Sequence, residues 1–507
     1  MAVSGRSTSL RRHLAAAALL VLAIGEPAVA LSTPSRPLTS QTSKPRLSKP
    51  VPIPGFRSLV VSQCFSSWGD RCWDFAAPFF LLTLQPNSLG PIAAQGLVVG
   101  VSTVLAAPAI GKFVDSAPRL RAARGALLVQ NSLVAACALI AAFVLPGSGA
   151  TGIMASVRLR WAAAVAFSLG CAGASCASLA NSLSVSKDWV VVLASASSEG
   201  DAALSEKARQ ERLAVANASL RKVDLVAKVF APAAIGMLLA VTSQRVAALL
   251  LASWNVCSAV LEATLLTAVH RTNRPALLAA KVGAPSKEAE TKSRPRAAYG
   301  VQRAARAGLA LSLLYLSALT FGALMSAFLH TQGMSIATIG RGRAAAGVTS
   351  LLGAAAFPAV RRRFGTGGAG RAGVLLQLTA LTPAIASLCM GGGGRGVVSL
   401  MPLACGVIVS RAGLWLFDLS VSQIFQETVE PADRGAVGAA LEARHACAQG
   451  LSYLTAVALP RPDQFGVHIV ASFAATALAA AVFESYLRNE RLRPADGPAS
   501  VSVTQEV

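Results

Sequence analysis

The stretch Gly111-Lys-Phe-Val-Asp-Ser-Ala-Pro-Arg-Leu-Arg121 is a short basic segment where two long apolar runs meet, residues 91–112 and 123–146. An α-helix rises about 1.5 Å per residue, so each run is long enough to cross the ~30 Å hydrocarbon core of a bilayer. The same alternation of apolar run and polar segment continues along most of the 507-residue chain. The sequence therefore predicts an all-α, multi-pass membrane protein.

The apolar runs predict twelve transmembrane helices. They lie near residues 58–84, 91–112, 123–146, 161–186, 223–243, 246–269, 307–330, 336–359, 372–391, 397–425, 435–459 and 466–487. Composition agrees, because 54% of the residues are apolar, 14% are charged and the mean hydropathy is +0.56. The net charge of +23 comes from Lys and Arg clusters between the runs, without an aromatic-studded basic domain, so we expect no nucleic-acid partner.

The basic clusters also predict sidedness. They fall after the second, fourth, sixth, eighth and tenth runs, which places both termini and the long middle loop on one face, called the basic face below. That middle loop, the basic linker 271–302, divides an N-lobe of six helices (58–270) from a C-lobe of six helices (303–488). The segment Gly111-x-x-x-Asp115 resembles the loop signature of the major facilitator superfamily. The resemblance implies two lobes that expose a midplane site alternately to each side.

The N-terminus predicts targeting. Residues 1–30 hold a basic start, a short apolar run and Ala28-Val29-Ala30, as in a signal-like leader. Residues 31–57 contain Ser, Thr, Pro, Lys and Arg with no acid, as in a transit-like segment. Together they predict a plastid (chloroplast) envelope protein, and a plain secretory leader with a secretory-pathway location is the alternative. Residues 489–507 are predicted to form a disordered tail.

The first run carries two carboxylates, Asp70 and Asp74, with Arg71 between them. A charged group near the bilayer centre costs ~2.5–3.5 kcal/mol on insertion scales, so it usually marks a substrate pathway. Gln130, Asn255 and Glu262 add further oxygen donors within other runs, and such donors suit a hard divalent cation. Other interpretations remain: the amides as hydrogen bonds between helices, Asp70 as a partner of Arg71, and Glu262 as a neutraliser of a nearby cation.

Several strings along the chain are similar to the ferroportin family (solute carrier family 40), and we expect its plastid-targeted branch. They include Ser67–Phe75, Leu128–Asn131, Lys187–Val192, Asn217–Asp224, Ser253–Asn255, Thr331–Gly333, Arg411–Leu419, Gln426-Glu427 and Arg434-Gly435. The resemblance implies transport of ferrous and related divalent ions, with one metal site in each lobe. It also implies a regulatory calcium site in some members, whose oxygens fall here on Asp70, Gln130, Asn255 and Glu262.

The resemblance also shows departures from the family pattern. The N-lobe transport site falls on Asp70 and Asp74, where Asp74 replaces a histidine and favours a harder cation. In the C-lobe the ligands are replaced by Gly322, Ala323 and Ser452, so we expect no peptide-hormone control. The pair Glu442 and His445 is a weaker candidate for a second metal site. Charged residues predicted near the basic face suggest a gate of salt bridges: Asp188, Arg221, Lys222, Asp224, Arg411, Asp418, Glu427 and Arg434.

These observations predict a transporter of divalent metal cations that works by alternating access in a lipid bilayer. No Gly-x-x-x-x-Gly-Lys-[Ser/Thr] loop is present for a nucleotide, and we expect no cofactor beyond the transported metal and a possible regulatory calcium. The alternative is an organic polycation or a metal chelate carried on the same fold. The five histidines form no metalloprotease or haem pattern, which argues against an enzyme, and a sensor without transport is a further possibility.

Overall fold

The computed structural model describes residues 53–144, 157–195, 206–278, 304–390, 397–429 and 434–492, and nearly all of them are helical. The signal-like leader lies outside the described residues. So do most of the transit-like segment, linker residues 279–303 and tail residues 493–507.

Six helical elements form the N-lobe. They are α1 (Phe56–Leu82), α2 (Gly90–Ser116), α3 (Arg119–Phe143), α4 (Val157–Ser182, continued by a π-helical turn Leu183–Trp189 and Val190–Ser195), α5 (Glu206–Val241) and α6 (Gln244–Thr272). The first helix packs between α5 and α6, and α3 packs against α4 and α6. This arrangement places the charged middle of α1 against polar residues of α3, α5 and α6.

The C-lobe repeats the pattern with two irregularities. Its helices are α7 (Ala305–Tyr315 and Ala323–Thr331), α8 and α9 (together Ile336–Met390), α10 (Val397–Thr428), α11 (Arg434–Ala458) and α12 (Phe465–Leu492). The backbone of α7 is broken over Leu316 to Gly322. The stretch Ile336–Met390 bends at Gly365, whose φ of 72° separates α8 from α9.

Eight helices in the described residues are long and apolar enough to cross a membrane, one of them being the bent α8–α9 stretch. Helices also occupy the other predicted spans, but α1 and α11 carry several charged residues and α7 is broken. Charges and helix breaks at membrane depth are costly and usually line a site. We therefore expect these three elements to line the functional site.

Three apolar clusters show how the lobes meet. One lies in the N-lobe half nearest the basic face and includes Leu127 and Trp189; its C-lobe counterpart includes Phe417 and Phe483. The third and largest cluster contains residues of both lobes, such as Phe75 and Met325. The lobes therefore share a core in the half away from the basic face, and keep separate cores in the half next to it.

The described structure continues across three of the predicted boundaries. A short helix, Arg274–Leu278, follows α6, and Leu277 is buried in the N-lobe core, so the start of the predicted linker belongs to the N-lobe. At the other end, Asn273 Nδ2 donates a hydrogen bond of 3.0 Å to the Pro54 carbonyl, which fixes the end of the predicted transit-like segment on α6. Likewise, α12 extends into the predicted tail as far as Leu492.

Candidate functional site

A cavity of about 890 Å³ lies between the lobes. Its wall includes Asp70 and Asp74 from α1, Gln130 from α3, Arg343 from α8 and Tyr453 from α11. Volumes of ~300–1,000 Å³ are typical of sites for small ligands. The cavity thus gathers the charged middle of α1 and residues of the opposite lobe around one space.

Asp70 lies midway along α1, and α3 supplies its direct partner. Gln130 Nε2 donates a hydrogen bond of 2.7 Å to Asp70 Oδ1, and Gln130 itself is buried. The other amide atom, Gln130 Oε1, is also buried and has no hydrogen-bond partner among the described residues. The pair therefore presents oxygen atoms that can still accept a proton donor or ligate a cation.

Asn255 and Glu262 extend this polar group along α6. Asn255 is buried, and its Oδ1 lies close to Gly69, next to Asp70: a Cβ at Gly69 would lie 3.9 Å from that oxygen. Glu262 is only 1% exposed and accepts a 2.5 Å hydrogen bond from Ser258. It faces Ser66, one turn before Asp70 on α1, and interacts electrostatically with Asp70. The four residues predicted for the regulatory calcium site thus lie in one region of the N-lobe.

Arg71 pairs with two other carboxylates. Arg71 Nη2 lies 2.7 Å from Asp224 Oδ1 on α5, and its Nη1 lies 3.2 Å from Asp74 Oδ2. The Asp74 side chain is 49% exposed, so it faces the cavity more openly than Asp70 does. No three His, Cys, Asp or Glu side chains in the described ranges meet as a metal cluster. A cation here would therefore depend on at most two carboxylates together with amide oxygens.

Arg343 is a functional candidate that sequence reasoning missed. It lies on α8, yet its Nη1 reaches across the cleft to the Asp74 carbonyl at 3.4 Å, and its guanidinium sits 5.7 Å from the centre of the Phe75 ring. In the sequence Arg343 looks like an ordinary basic residue near the start of the predicted span 336–359. Its one unusual feature is that it lies at the membrane side opposite the basic face, where few basic residues occur.

A second cavity, of about 260 Å³, lies within the C-lobe beside the break in α7. Gly322, Ala323 and Ser452 line it, and these are the residues that replace the ligands expected there from the resemblance. Arg411 also lines it, about halfway along α10 rather than at the end near the basic face where the gate was predicted. Its Nη2 donates a 3.1 Å hydrogen bond to the Leu319 carbonyl in the broken segment.

The other predicted gate residues pair mainly within their own lobes. Asp188, in the π-helical turn, pairs with Arg119 at 2.8 Å, and Glu427 pairs with Arg361 at 3.1 Å. On α5, Arg221 lies 3.7 Å from Asp224, which also contacts Lys228. Lys222 neighbours these groups on α5, and Arg434 begins α11 at the basic face, with its side chain outside the described residues.

Across the cleft, Arg221 lies within electrostatic range of Asp418 on α10. The salt bridges of these residues thus lie within one lobe or the other, and the two lobes are separated at the basic face.

Glu442 and His445 do come near each other, at 3.9 Å between Glu442 Oε2 and His445 Nδ1. His445 is buried and stacks on Tyr315 with 4.1 Å between ring centres, whereas the Glu442 side chain is 81% exposed. Neither histidine nitrogen has a hydrogen-bond partner among the described residues. The pair supplies two of the ligands that a metal would need.

On the side away from the basic face, the ends of the two lobes contact each other. The Leu89 amide donates a 2.6 Å hydrogen bond to the Pro460 carbonyl, joining the loops after α1 and after α11. On the same membrane side, but along the other edge of the cleft, α5 and α8 touch at Gly236 and Gly340. A Cβ on Gly340 would lie 2.5 Å from the Pro232 carbonyl oxygen. We call this contact of α5 and α8 the glycine seal. The central cavity therefore lies on the basic side of a closed contact.

Two helical lobes around a polar midplane cavity, closed on one side only, define a membrane transporter of the major facilitator type and not an enzyme. A solved structure of a bacterial homologue of the iron transporter ferroportin, in an inward-facing state, matches this fold with a TM-score of 0.70. It is 24% identical in sequence, and the match covers 85% of this chain and 98% of the bacterial one.

The sequence comparisons give the family. Its profile, Ferroportin1 (FPN1), matches residues 55–476, and the chain belongs to the ferroportin family. The protein called solute carrier family 40 member 1 from Oryza sativa subsp. japonica is 29% identical over 460 residues, which is 86% of this chain and 91% of the rice protein. The protein called ferroportin from Homo sapiens is 25% identical over 534 residues, with coverage of 85% and 90%.

Proposed function

We propose that this protein moves a divalent metal cation, iron or a related ion, across a membrane by alternating access and without ATP. The observation that carries the proposal is Asp70, a carboxylate at mid-membrane that Gln130 holds at the wall of the central cavity. Asp74, one turn further along α1, is half-exposed to the same cavity. The names of the relatives, ferroportin and solute carrier family 40, support the same substrate class.

The arrangement of the lobes supports a transport cycle. A cation entering from the basic face reaches the depth of Asp70 and its amide neighbours first, and then that of Asp74, which lies one turn further along α1 and is more open to the cavity. The glycine seal stops it from passing further. When the lobes rock, the seal opens and the gate residues of the two lobes approach at the basic face. Arg221 and Asp418 are the pair best placed to close that face.

The oxygen groups of the N-lobe also fit a regulatory calcium ion. Asp70, Gln130, Asn255 and Glu262 are oxygen donors on three helices, and the unpartnered Gln130 Oε1 is a free acceptor among them. Hard cations such as Ca²⁺ favour such donors. When bound, the ion would supply positive charge that holds α1, α3 and α6 together. Asp70 would then belong to both the calcium site and the transport site.

The test of the proposed function is metal uptake. Purified protein in proteoliposomes should take up radioactive manganese or iron at least tenfold faster than empty vesicles, and spermidine in excess should leave the rate unchanged. We expect this because Arg71 and Arg343 bring positive charge into the cavity, and they repel an amine with three positive charges more strongly than a divalent ion. Labelled spermidine entering in place of the metal would replace this proposal with the organic-cation alternative.

We place the transporter in a plastid envelope membrane, on the composition of residues 1–57. A fluorescent protein fused after Val507 should outline the plastid. A matched variant lacking residues 31–52 keeps the signal-like leader and the whole of α1, and should remain in the secretory pathway. Full-length protein found in secretory membranes would overturn the plastid assignment and leave the transport proposal intact.

A further inference from the structure

The C-lobe cavity has the character of an anion site. It takes up about 260 Å³ at the midplane, where the break of α7 ends at Gly322 and its second helix begins at Ala323. Its charged wall residues are Arg411 and Asp418, both on α10. Seven residues, about 10 Å along a helix, separate these two. Asp418 is repelled by Glu442 and attracted by Arg221. No ion pair joins Arg411 to Asp418 in the described part of the chain, because the Arg411 guanidinium donates to Leu319 and Ser410 instead.

Arg411 is a buried guanidinium with unused hydrogen-bonding capacity. It is 9% exposed, and its Nη2 donates to the Leu319 carbonyl and to Ser410 Oγ at 3.1 and 3.4 Å. Its Nε is buried with no acceptor, and it forms no ion pair within the described part of the chain. A buried charge without a counter-charge is costly, whereas a carboxylate can accept two parallel hydrogen bonds from a guanidinium.

The second helix of α7 points its positive end at the same cavity. This helix, Ala323–Thr331, begins after the extended residue Gly322, and no side chain caps it. Its first residues line the cavity together with Arg411. The free N–H groups and the dipole at a helix start attract an anion. Two independent features thus favour a negative charge in one small space.

The two cavities adjoin, because Gly322, Ala323 and Tyr453 line both of them. In the central cavity Arg343 and Arg71 already stand near Asp70 and Asp74, and Asp224 takes up part of the charge of Arg71. A bare dication bound at the two aspartates would add two positive charges to this group. A metal that arrives with carboxylates attached would bring its own counter-charge into the space between Asp70 and Arg411.

We propose that the C-lobe cavity is a carboxylate-binding site, and that the metal is carried as its complex with a small carboxylate chelator. This inference rests on the proposed function. The metal of the complex contacts Asp70 and Asp74, and a carboxylate arm of the chelator contacts Arg411 and the start of the second α7 helix. Metal transfer between the lobes then needs no side-chain ligand at Gly322 or Ala323.

The test uses citrate as the chelator. Proteoliposomes with the full chain are given radioactive manganese alone, ¹⁴C-citrate alone, both together, or manganese with tricarballylate, which has the same carboxylates but lacks the chelating hydroxyl. We expect citrate to enter only together with the metal and to raise metal uptake several-fold. Tricarballylate should not do so. Citrate uptake without metal would instead identify a free carboxylate as the ligand.

Three variants locate the site. Arg411→Gln should weaken citrate binding to the purified protein about tenfold or more, the range for a hydrogen bond to a charged group, and Arg411→Lys should restore part of it. Ala323→Asp puts a carboxylate on the same wall and should abolish the citrate effect even if Arg411→Gln fails to fold. Arg341→Gln, an exposed arginine on α8, is the matched control and should bind citrate as the unaltered protein does.

The outcomes separate the two proposals. Metal uptake that depends on Asp70 but is the same with and without citrate, together with unchanged citrate binding by Arg411→Gln, overturns the carboxylate site alone. Absence of metal uptake under every condition overturns the proposed function. Citrate binding to purified protein, compared between the unaltered chain and Ala323→Asp, still decides the carboxylate site in that case.

Discussion

Replacing Asp70 with alanine should lower metal uptake into proteoliposomes at least tenfold. The carboxylate lies midway along α1 at the cavity wall, and Gln130 Nε2 holds it at 2.7 Å. Removing it takes away a charged ligand and leaves Gln130 with neither of its amide groups engaged. A tenfold loss corresponds to about 1.4 kcal/mol of binding free energy, less than a charged ligand normally contributes.

Two controls define this result. Asp70→Asn keeps the size and the hydrogen-bonding shape but removes the charge, and should lose as much uptake as Asp70→Ala. Glu211→Ala removes an exposed carboxylate near the start of α5 and should transport normally. All three variants should elute as monodisperse protein, because none of the substitutions creates a large cavity. Normal uptake by Asp70→Ala would place the cation elsewhere and refute the N-lobe site.

Replacing Gly340 with leucine should stop transport without removing the cation site. At the glycine seal α5 and α8 approach so closely that even a Cβ on Gly340 would lie 2.5 Å from the Pro232 carbonyl oxygen and 3.3 Å from Gly236 Cα. A leucine side chain must therefore push the two lobes apart. Overpacking by a larger side chain typically costs about 1–3 kcal/mol, and each 1.4 kcal/mol changes a two-state equilibrium about tenfold, so the closed state of the seal should become much less populated.

The measurements for this variant are uptake and binding on the same preparation. Uptake should fall at least tenfold, while equilibrium dialysis of manganese with purified protein should change less than threefold, because Asp70 and Asp74 are untouched. Gly125→Leu is the matched control, since a Cβ there meets no atom within 4 Å. Full transport by Gly340→Leu would show that the seal does not have to close during the cycle.

The sequence predicted the helical class, the two lobes and the polar residues around Asp70, because these depend on runs of apolar residues and on rare charges within them. It did not predict the break in α7, where the apolar run 307–330 is uninterrupted. Gly322, with Ser317 and Thr320 before it, was the available signal, and both hydroxyls accept hydrogen bonds from nearby backbone amides.

Other features depend on tertiary packing and cannot be read from a one-dimensional pattern. Arg343 stands on α8 in sequence but contacts Asp74 and Phe75 of the other lobe. Arg411 belongs to a charged string that suggested a gate, yet it lies at a cavity in mid-helix. The direction of the Arg343 side chain follows from how the lobes meet, and that of Arg411 from packing within the C-lobe. No spacing within a single helix encodes either of them.

Different interactions close the two sides of this transporter. The glycine seal brings backbone against backbone, and the apolar core shared by the lobes lies on the same side. Dissolved ions screen no part of such a contact. The opposite mouth carries Arg221, Asp418 and their charged neighbours, whose attraction fades as the Debye length shrinks from about 10 Å at 0.1 M salt to about 3 Å at 1 M. Ionic strength should therefore act on one half of the cycle only, and favour the state in which the basic face stays open.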